Sequence, residues 1–386
     1  MSTLKVNAIR NTSATSDAIT LASDGTATAK ITNNLSNRNV IINGEMQICQ
    51  RGNVTGVTGS SWGGPDRFEF RESADSTSSI NQSTESPDGF SKSYHVDITT
   101  ADAAIAAGHF IGFRYQAEGY DVQRFAKGTS SAKAGVLSFY VKTNKTGTYA
   151  VNLYDNSNTR HFSDTYTVSD TNWNRYSIAV PADTTGAFAV NGNGALEILW
   201  LLSAGTDITS GSSPTAWAAY SAPVYAAGHN VNFADSTSND FYITGIQLEV
   251  DSTNSGKPSD YEHRSYSDEL NRCLRYYYRM PYKSGTFIGV GTAWNSDSSG
   301  GTFSVPVPMR TSPTFTVNAG GDFETTQVFG DTQTCSAVSM PYGSSFPHNM
   351  MSWRGESNGN HDTGEGYILR FNDGQTSGYI SLSAEL

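Results

Sequence analysis

Gly135-Val136-Leu137-Ser138-Phe139-Tyr140-Val141-Lys142-Thr143 alternates residue by residue, with Leu137, Phe139 and Val141 on one side and Ser138, Tyr140 and Lys142 on the other. A period of two is the signature of a β-strand with one buried face. The pattern returns in Thr148–Asp155, with Tyr149, Val151 and Leu153 inward. It returns in Trp173–Val180 with Tyr176, Ile178 and Val180, and in Asp240–Val250 with Tyr242, Thr244, Ile246, Leu248 and Val250. Turn-forming runs separate these stretches: Asn144-Lys145-Thr146-Gly147, Asp155-Asn156-Ser157-Asn158 and Asn191-Gly192-Asn193-Gly194. Short strands at such spacing predict a β-sandwich of the jelly-roll kind over residues 39–265, not a βαβ sheet.

Outward from that middle region the chain reads as all-β. Residues 1–38 hold no aromatic residue, and their short strand-like clusters predict a thin strand-rich shaft that cannot bury a core alone. One helix is expected in the connecting stretch 266–282. Ser267 caps it, Asp268 and Glu269 suit its positive end, Leu270, Cys273, Leu274 and Tyr277 form its stripe, and Pro281 ends it. Strands then resume at Thr286–Gly291, Thr302–Val307, Thr314–Val317 and Gly378–Leu382, which predicts a C-terminal β knob over 283–386.

Composition narrows the function. The charged fraction is 16%, with Asn, Ser, Thr and Gly in place of the missing charges; these residues suit turns and solvated strand faces. Net charge is −11 and no basic run exceeds two residues, which argues against nucleic-acid binding. Cys49, Cys273 and Cys335 are far apart and odd in number, giving neither a disulfide framework nor a CxxC metal site. Met1–Lys5 has no apolar stretch behind it, and the longest apolar run, Ala195 to Ala204, is interrupted by Glu197. No secretory signal and no membrane insertion are therefore expected, and folding is expected in a reducing cytoplasm.

Four stretches resemble the tail-fibre and related structural proteins of tailed bacteriophages. The first is Asn39–Gly44 with Gln47–Gly52 and Pro65-Asp66-Arg67-Phe68. The second is Gln116–Tyr120 with Leu137–Lys142 and Thr146–Tyr149. The third is Phe241–Val250 continuing to Tyr261–Tyr266 and Glu269–Arg279. The fourth is Val307–Pro313 with the ending Gly378–Leu386. The resemblance spans nearly the whole chain from about residue 39. It implies a jelly roll like that of carbohydrate-binding modules, a homotrimer, a distal C-terminal knob and attachment to other virion proteins through the N-terminus. It supplies no binding residue. In sugar-binding jelly rolls the opening motif often leads to an acidic calcium ligand; here Gln47 stands there with Glu45 nearby, which disfavours a metal.

Enzyme signatures are absent: there is no GxSxG elbow on a strand-to-helix turn, no HExxH, no P-loop and no GxGxxG after a strand. His348, His361, Asp362 and Glu365 share a polar region but match no ligand spacing, and read as surface residues around Gly turns. Asp322 with Glu324, or Asp362 with Glu365, are the carboxylate pairs a glycan depolymerase would need, yet such pairs occur on any acidic surface. No catalytic residue and no cofactor is assigned. The binding signal is aromatics among turn residues. Trp294, Tyr342 and Trp353, with Phe346 beside Tyr342, are the candidates for stacking on a sugar. Trp173 and Trp200 read as core; Trp217 and Tyr220 stay open. The expected function is that of a virion fibre attaching a phage to surface carbohydrate of its bacterial host. The alternatives are a head-attached fibre or decoration protein without a receptor role, and a depolymerase spike.

Overall fold

The computed structural model describes residues 6–13, 15, 17–29, 36–327, 330, 332–341, 349–357, 359, 361–376 and 378–386. The chain is all-β: every strand pair is antiparallel, and the helical segments are short. Near the N-terminus, Ala8–Ile9, Ile19–Leu21 and Ala27–Ala29 form a three-stranded sheet on which Val6, Ile9 and Leu21 stay exposed.

Two six-stranded sheets make the sandwich. The first runs, in spatial order, Ala218–Ala219, Arg160–Val168, Gly147–Asp155, Gly194–Ala204, Phe110–Glu118 and Phe68–Glu72. The second runs Asn174–Val180, Gly135–Thr143, Asp240–Val250, Ser93–Thr100, Thr77–Ser83 and Val54–Val57. Gly135–Thr143 and Gly147–Asp155 thus lie in opposite sheets, and the Asn144-Lys145-Thr146 turn crosses the sandwich rather than closing a hairpin. Spatial neighbours such as Gly135–Thr143 and Asp240–Val250 are about a hundred residues apart in sequence, the crossing pattern of a jelly roll. Between the sheets Trp200 stacks on Phe113 (centroids 5.3 Å apart, 8° between planes) and meets Phe139 edge-on at 5.9 Å. Each such ring contributes roughly 2–3 kcal/mol by leaving water.

The strand Asp240–Val250 departs from the expected phase. Phe241 and Ile243 point into the core, while Tyr242 is half exposed and stacks on His95 at 4.2 Å. The register then slips between Thr244 and Gln247, and Ile246 and Leu248 turn inward. Gly245 sits in the slip with φ +62°, a left-handed conformation that glycine adopts without strain. One extra residue therefore exchanges the faces of the strand's two halves.

The expected helix is shorter than its apolar stripe. It spans Tyr266–Leu274, and its cap is Ser265, not Ser267: Ser265 accepts from the Asp268 N–H at 3.2 Å and donates to the Asp268 carboxylate at 2.7 Å. Tyr277–Pro281 leaves the helix and pairs with Tyr379–Ser383, which pairs in turn with Thr314–Val317. The second β unit accordingly begins at Tyr277, because the Tyr277-Tyr278-Arg279-Met280 run places Tyr278 and Met280 against that unit's core. Its larger sheet has seven strands ordered Thr332–Thr334, Phe323–Thr326, Gly366–Phe371, Phe287–Asn295, Ser298–Ser304, Met350–Glu356 and Ala337–Ser339.

A network of buried charges joins the two units. Arg67, in left-handed backbone (φ +77°), is 1% exposed; its guanidinium bonds the Glu385 carboxylate, donates to the Gln116 carbonyl at 2.7 Å, and lies 3.4 Å from the Tyr276 ring centre. Arg51 reaches the same Glu385 at 3.1 Å and covers the Tyr277 ring at 3.6 Å. Glu118 accepts both Arg275 nitrogens at 2.9 Å and the Tyr276 hydroxyl at 2.7 Å. Arg310 donates to the carbonyls of Ala384 (2.8 Å), Glu385 (2.9 Å) and Gly192 (2.9 Å). The last residues of the chain are thereby stapled to the sandwich.

Candidate functional site

A cleft of about 430 Å³ opens on the outer face of the first sheet. Alternation builds its floor. With Val151, Leu153, Ile198 and Trp200 in the core, Tyr154, Glu197 and Leu199 must face outward. Phe68 and Phe70 are likewise buried, so Arg71 faces out at the cleft's edge beside Phe110, its guanidinium 5.9 Å from that ring's centre.

The long connection after Gly194–Ala204 supplies the wall. It turns through Thr206–Thr209, adds Ala218–Ala219 to the sheet edge against Arg160–His161, and returns over the sheet face. Ala226 and half-buried Tyr225 settle on Ala150, Leu199 and Leu201, a second apolar cluster outside the sandwich core. The Ala226 N–H bonds the Ile208 carbonyl at 2.8 Å, and the Ser163 hydroxyl bonds the Val224 carbonyl at 2.8 Å. This clamp groups the rings: Tyr220 lies 5.8 Å from both Tyr154 and Tyr225, and His161 lies 5.6 Å from Tyr220 and 6.1 Å from Tyr225. Tyr220 is 46% exposed.

Beneath the rings, Asn152 Nδ2 bonds His161 Nδ1 at 3.1 Å and the Tyr225 carbonyl at 3.0 Å. The His161 ring is therefore neutral with its proton on Nε2, and burial lowers its pKa. Burial pushes the Tyr225 phenol well up, with the Glu197 charge adding to it, so its hydroxyl stays protonated at neutral pH. Glu197 accepts from Arg114 at 2.7 Å and from Gln116 at 3.2 Å. Flat rings carrying phenol hydroxyls, with the Asn156 amide beside an apolar floor, are the equipment for a sugar, whose CH face stacks while its hydroxyls bond.

The expected binding residues fall differently. Trp353 is 0% exposed in the core of the second β unit and does not reach the surface; it sits on the strand Met350–Glu356, not in a loop. Tyr342 and Phe346 lie outside the described residues, as does His348. Trp294 is 40% exposed, at the end of Phe287–Asn295, because Ser296-Asp297 is a tight hairpin turn to Ser298–Ser304 where a longer loop was expected. Its ring covers Gly300, where any Cβ would collide with it, and Arg354 stands 5.8 Å from its centre. A polar hollow of about 590 Å³ lined by Asn295, Asp297, Arg354 and Glu356 adjoins it. The structure thus brings Trp294 and Trp353 into one domain but on opposite sides of a sheet surface.

His361 is buried, not on the surface: it bonds Thr325 at 2.8 Å and Ser357 at 3.2 Å and meets Tyr367 edge-on at 4.6 Å. Among the described residues no group of three His, Cys, Asp or Glu could hold a metal ion; Gln47 bonds Glu45 at 2.7 Å. Trp200 is core, whereas Trp173 is only half buried and donates to Glu85 at 3.1 Å. Trp217 is buried, donates to the Pro181 carbonyl at 2.9 Å and covers the buried Lys127–Asp155 pair's ammonium at 5.4 Å. Of the cleft residues, Tyr154 was legible as an outward tyrosine on an alternating strand, but Phe110, Arg71 and Tyr225 carry no local signal because the folded-over connection creates their surroundings.

Fold and site together define a two-unit all-β protein whose jelly-roll sandwich carries a lateral aromatic cleft. No protein-family model matches the sequence, and no curated protein matches it. Solved structures similar to part of the chain include the enzymatically active domain of bacteriophage CBA120 tailspike protein 4, at 11% identity and a TM-score of 0.29 over 57% of this chain and 24% of that one. They also include the family 11 carbohydrate-binding module of a Clostridium thermocellum cellulosomal cellulase (12%, TM-score 0.28, 50% of this chain and 96% of that one). A third is the C-terminal family 22 carbohydrate-binding module of Clostridium thermocellum Xyn10B (12%, TM-score 0.27, 48% and 86%). The chain spans about a quarter of the tailspike domain. At such values the likeness carries over neither ligand nor activity.

Proposed function

We propose that this chain is a glycan-binding attachment protein of a bacteriophage virion, a fibre whose jelly-roll cleft holds a saccharide of the host surface. The observation that carries glycan binding is the grouping of Tyr154, Tyr220 and Tyr225 across an open cleft with polar groups at its floor. The virion role rests on the sequence resemblance, and with it the homotrimer and the mounting through residues 1–38. Binding is favoured over cleavage because Glu197 is the one carboxylate among the cleft-lining residues, and Arg114 holds it; hydrolysis needs two carboxylates facing one bond.

Calorimetric titration with oligosaccharides released from the host surface tests the reading. Tyr220→Ala should weaken binding about tenfold, the equivalent of ~1.4 kcal/mol for one lost stacking face, with the fold unchanged. Particles carrying the variant should adsorb more slowly to host cells. Unchanged affinity in a folded Tyr220→Ala protein would remove the cleft from consideration. A second reading places the contact in the hollow beside Trp294, favoured by that ring's exposure next to Asn295, Asp297 and Arg354; Trp294→Ala would then abolish the binding that Tyr220→Ala spares.

A further inference from the structure

The cleft contains a cation without a partner. Among the described residues every other arginine from Arg38 to Arg275 makes a hydrogen bond or an ion pair: Arg114 with Glu69 and Glu197, Arg160 with Asp183, Arg175 with the Ser259 carbonyl, Arg264 with Glu262 and Glu269. Arg71 makes neither; its guanidinium stands by the Phe110 ring at the edge of the cleft and within electrostatic reach of the Tyr225 phenol. A guanidinium has five N–H donors in a planar fork, and the half-exposed Arg71 presents its fork to the open cleft, where a ligand can take it up.

The sheet register explains why it stays open. Arg71 pairs with Gly112, which pairs with Leu201. An added Cβ at Gly112 would strike the Trp200 carbonyl oxygen, so the position is held to glycine by close strand approach. No side chain therefore rises between Arg71 and the apolar cluster of Leu199 and Leu201. The cleft's own carboxylate, Glu197, does not serve as counter-ion, because Arg114 and Gln116 already bind it.

We infer that the cleft selects an anionic saccharide, with a carboxylate or phosphate of the sugar on Arg71 while its ring stacks in the tyrosine group. This rests on the cleft being the glycan site and names the class of glycan that it takes. A carboxylate matches the fork with two parallel N–H···O bonds, and a phosphate oxygen pair does the same. The tyrosines supply affinity for any sugar ring; Arg71 supplies the preference for a charged one.

The test uses the full chain and a panel of acidic oligosaccharides: a tetra-uronate, a nonulosonate-capped trisaccharide and a phosphorylated trisaccharide. Each is titrated beside its carboxyl-reduced or dephosphorylated counterpart, at low and at moderate salt. At least one acid should bind roughly ten- to a hundredfold tighter than its neutral counterpart, the range of a charged hydrogen-bonded pair, with the margin shrinking as salt rises. Arg71→Gln should erase the margin and keep the neutral sugar's affinity; Arg71→Lys should restore part of it. Tyr220→Ala should weaken acid and neutral forms alike. Equal binding of acids and neutral counterparts, or a margin that survives Arg71→Gln, overturns the charge selection and leaves glycan binding standing. No binding by any member at millimolar concentration overturns both, and which partner class separates the acids, carboxylate or phosphate, identifies the oxyanion.

Discussion

Glu385, the penultimate residue, should be worth more to stability than its place at the chain end suggests. Its carboxylate is 5% exposed and is shared by Arg51 and Arg67, the latter 1% exposed. Glu385→Gln keeps the shape and removes the charge, leaving a fully buried guanidinium without a counter-ion. Breaking a buried pair from one side costs about 3–5 kcal/mol. Arg67 keeps the Gln116 carbonyl and the Tyr276 ring, which places the expected loss at the lower end, about 3 kcal/mol. For units of this size each kcal/mol moves the midpoint by roughly 2–4 °C, so thermal unfolding followed by circular dichroism should fall by about 6–12 °C. Glu85→Gln is the reference, since Glu85 and Lys142 pair on the surface at 43% and 34% exposure and such pairs contribute at most about 1 kcal/mol. If Glu385→Gln melts no lower than Glu85→Gln, the chain end is not a staple and the reasoning from burial fails.

Further outcomes are expected elsewhere. Burial pushes the Glu72 carboxyl up to about 7 from 4.5, so its stabilising contribution is complete below 4.5 and is lost as pH rises through about 7; Glu72→Gln should raise stability at pH 8 by roughly 2–3 kcal/mol in urea titrations. His229, lowered by burial to about 4 from 6.5, works in the opposite direction, its contribution complete above 6.5 and lost as pH falls to about 4, so acid unfolding in that window should steepen in the Glu72→Gln background. Trp353→Ala should cost about 3–5 kcal/mol by opening a cavity, whereas Trp294→Ala should cost under about 1 kcal/mol, and equal losses in urea unfolding would contradict the burial difference. Gly245→Ala should cost about 1–3 kcal/mol, because a side chain there is left-handed and meets Phe90 and Tyr140; an unchanged unfolding midpoint would mean the bulge relaxes freely.

Most of the sandwich was legible because alternation is a local property: Leu137, Phe139 and Val141, or Tyr149, Val151 and Leu153, needed no knowledge of their neighbours to be placed inward. Misplacements came where a distant contact overrode the local pattern. Tyr242 reads inward by parity, but the slip at Gly245 reverses the parity halfway along its strand. Tyr277 continues the helical stripe of Leu270 and Leu274 by spacing, yet pairing with Ser383, over a hundred residues later, draws it into a strand. Trp353 stands in a Ser-Trp-Arg-Gly-Glu run that looks like a loop, and only the pairing of Gly301 with it shows a strand with its indole beneath the sheet.

The stretches that carry the sequence resemblance meet at one place. Arg51 and Arg67 belong to the first, Glu118 to the second, Arg275, Tyr276 and Tyr277 to the third, Arg310 and Glu385 to the fourth, and all of them enter the charge network between the two β units. Part of what those stretches encode is therefore a joint; the rest, such as Leu137, Phe139, Phe241 and Leu248, is sandwich core. A buried charge tolerates few substitutions, because removing either partner leaves the other uncompensated, so a joint of this kind imprints a fixed pattern across the chain. The cleft has no such constraint. Arg71, Phe110, Tyr154, Tyr220 and Tyr225 lie outside those stretches, and Tyr220 is mostly held by ring contacts at a solvent boundary. Replacing it costs the fold little. On the proposed function, ligand preference and architecture are written in separate residues, so the glycan gripped in the cleft could change while the two units stay locked together.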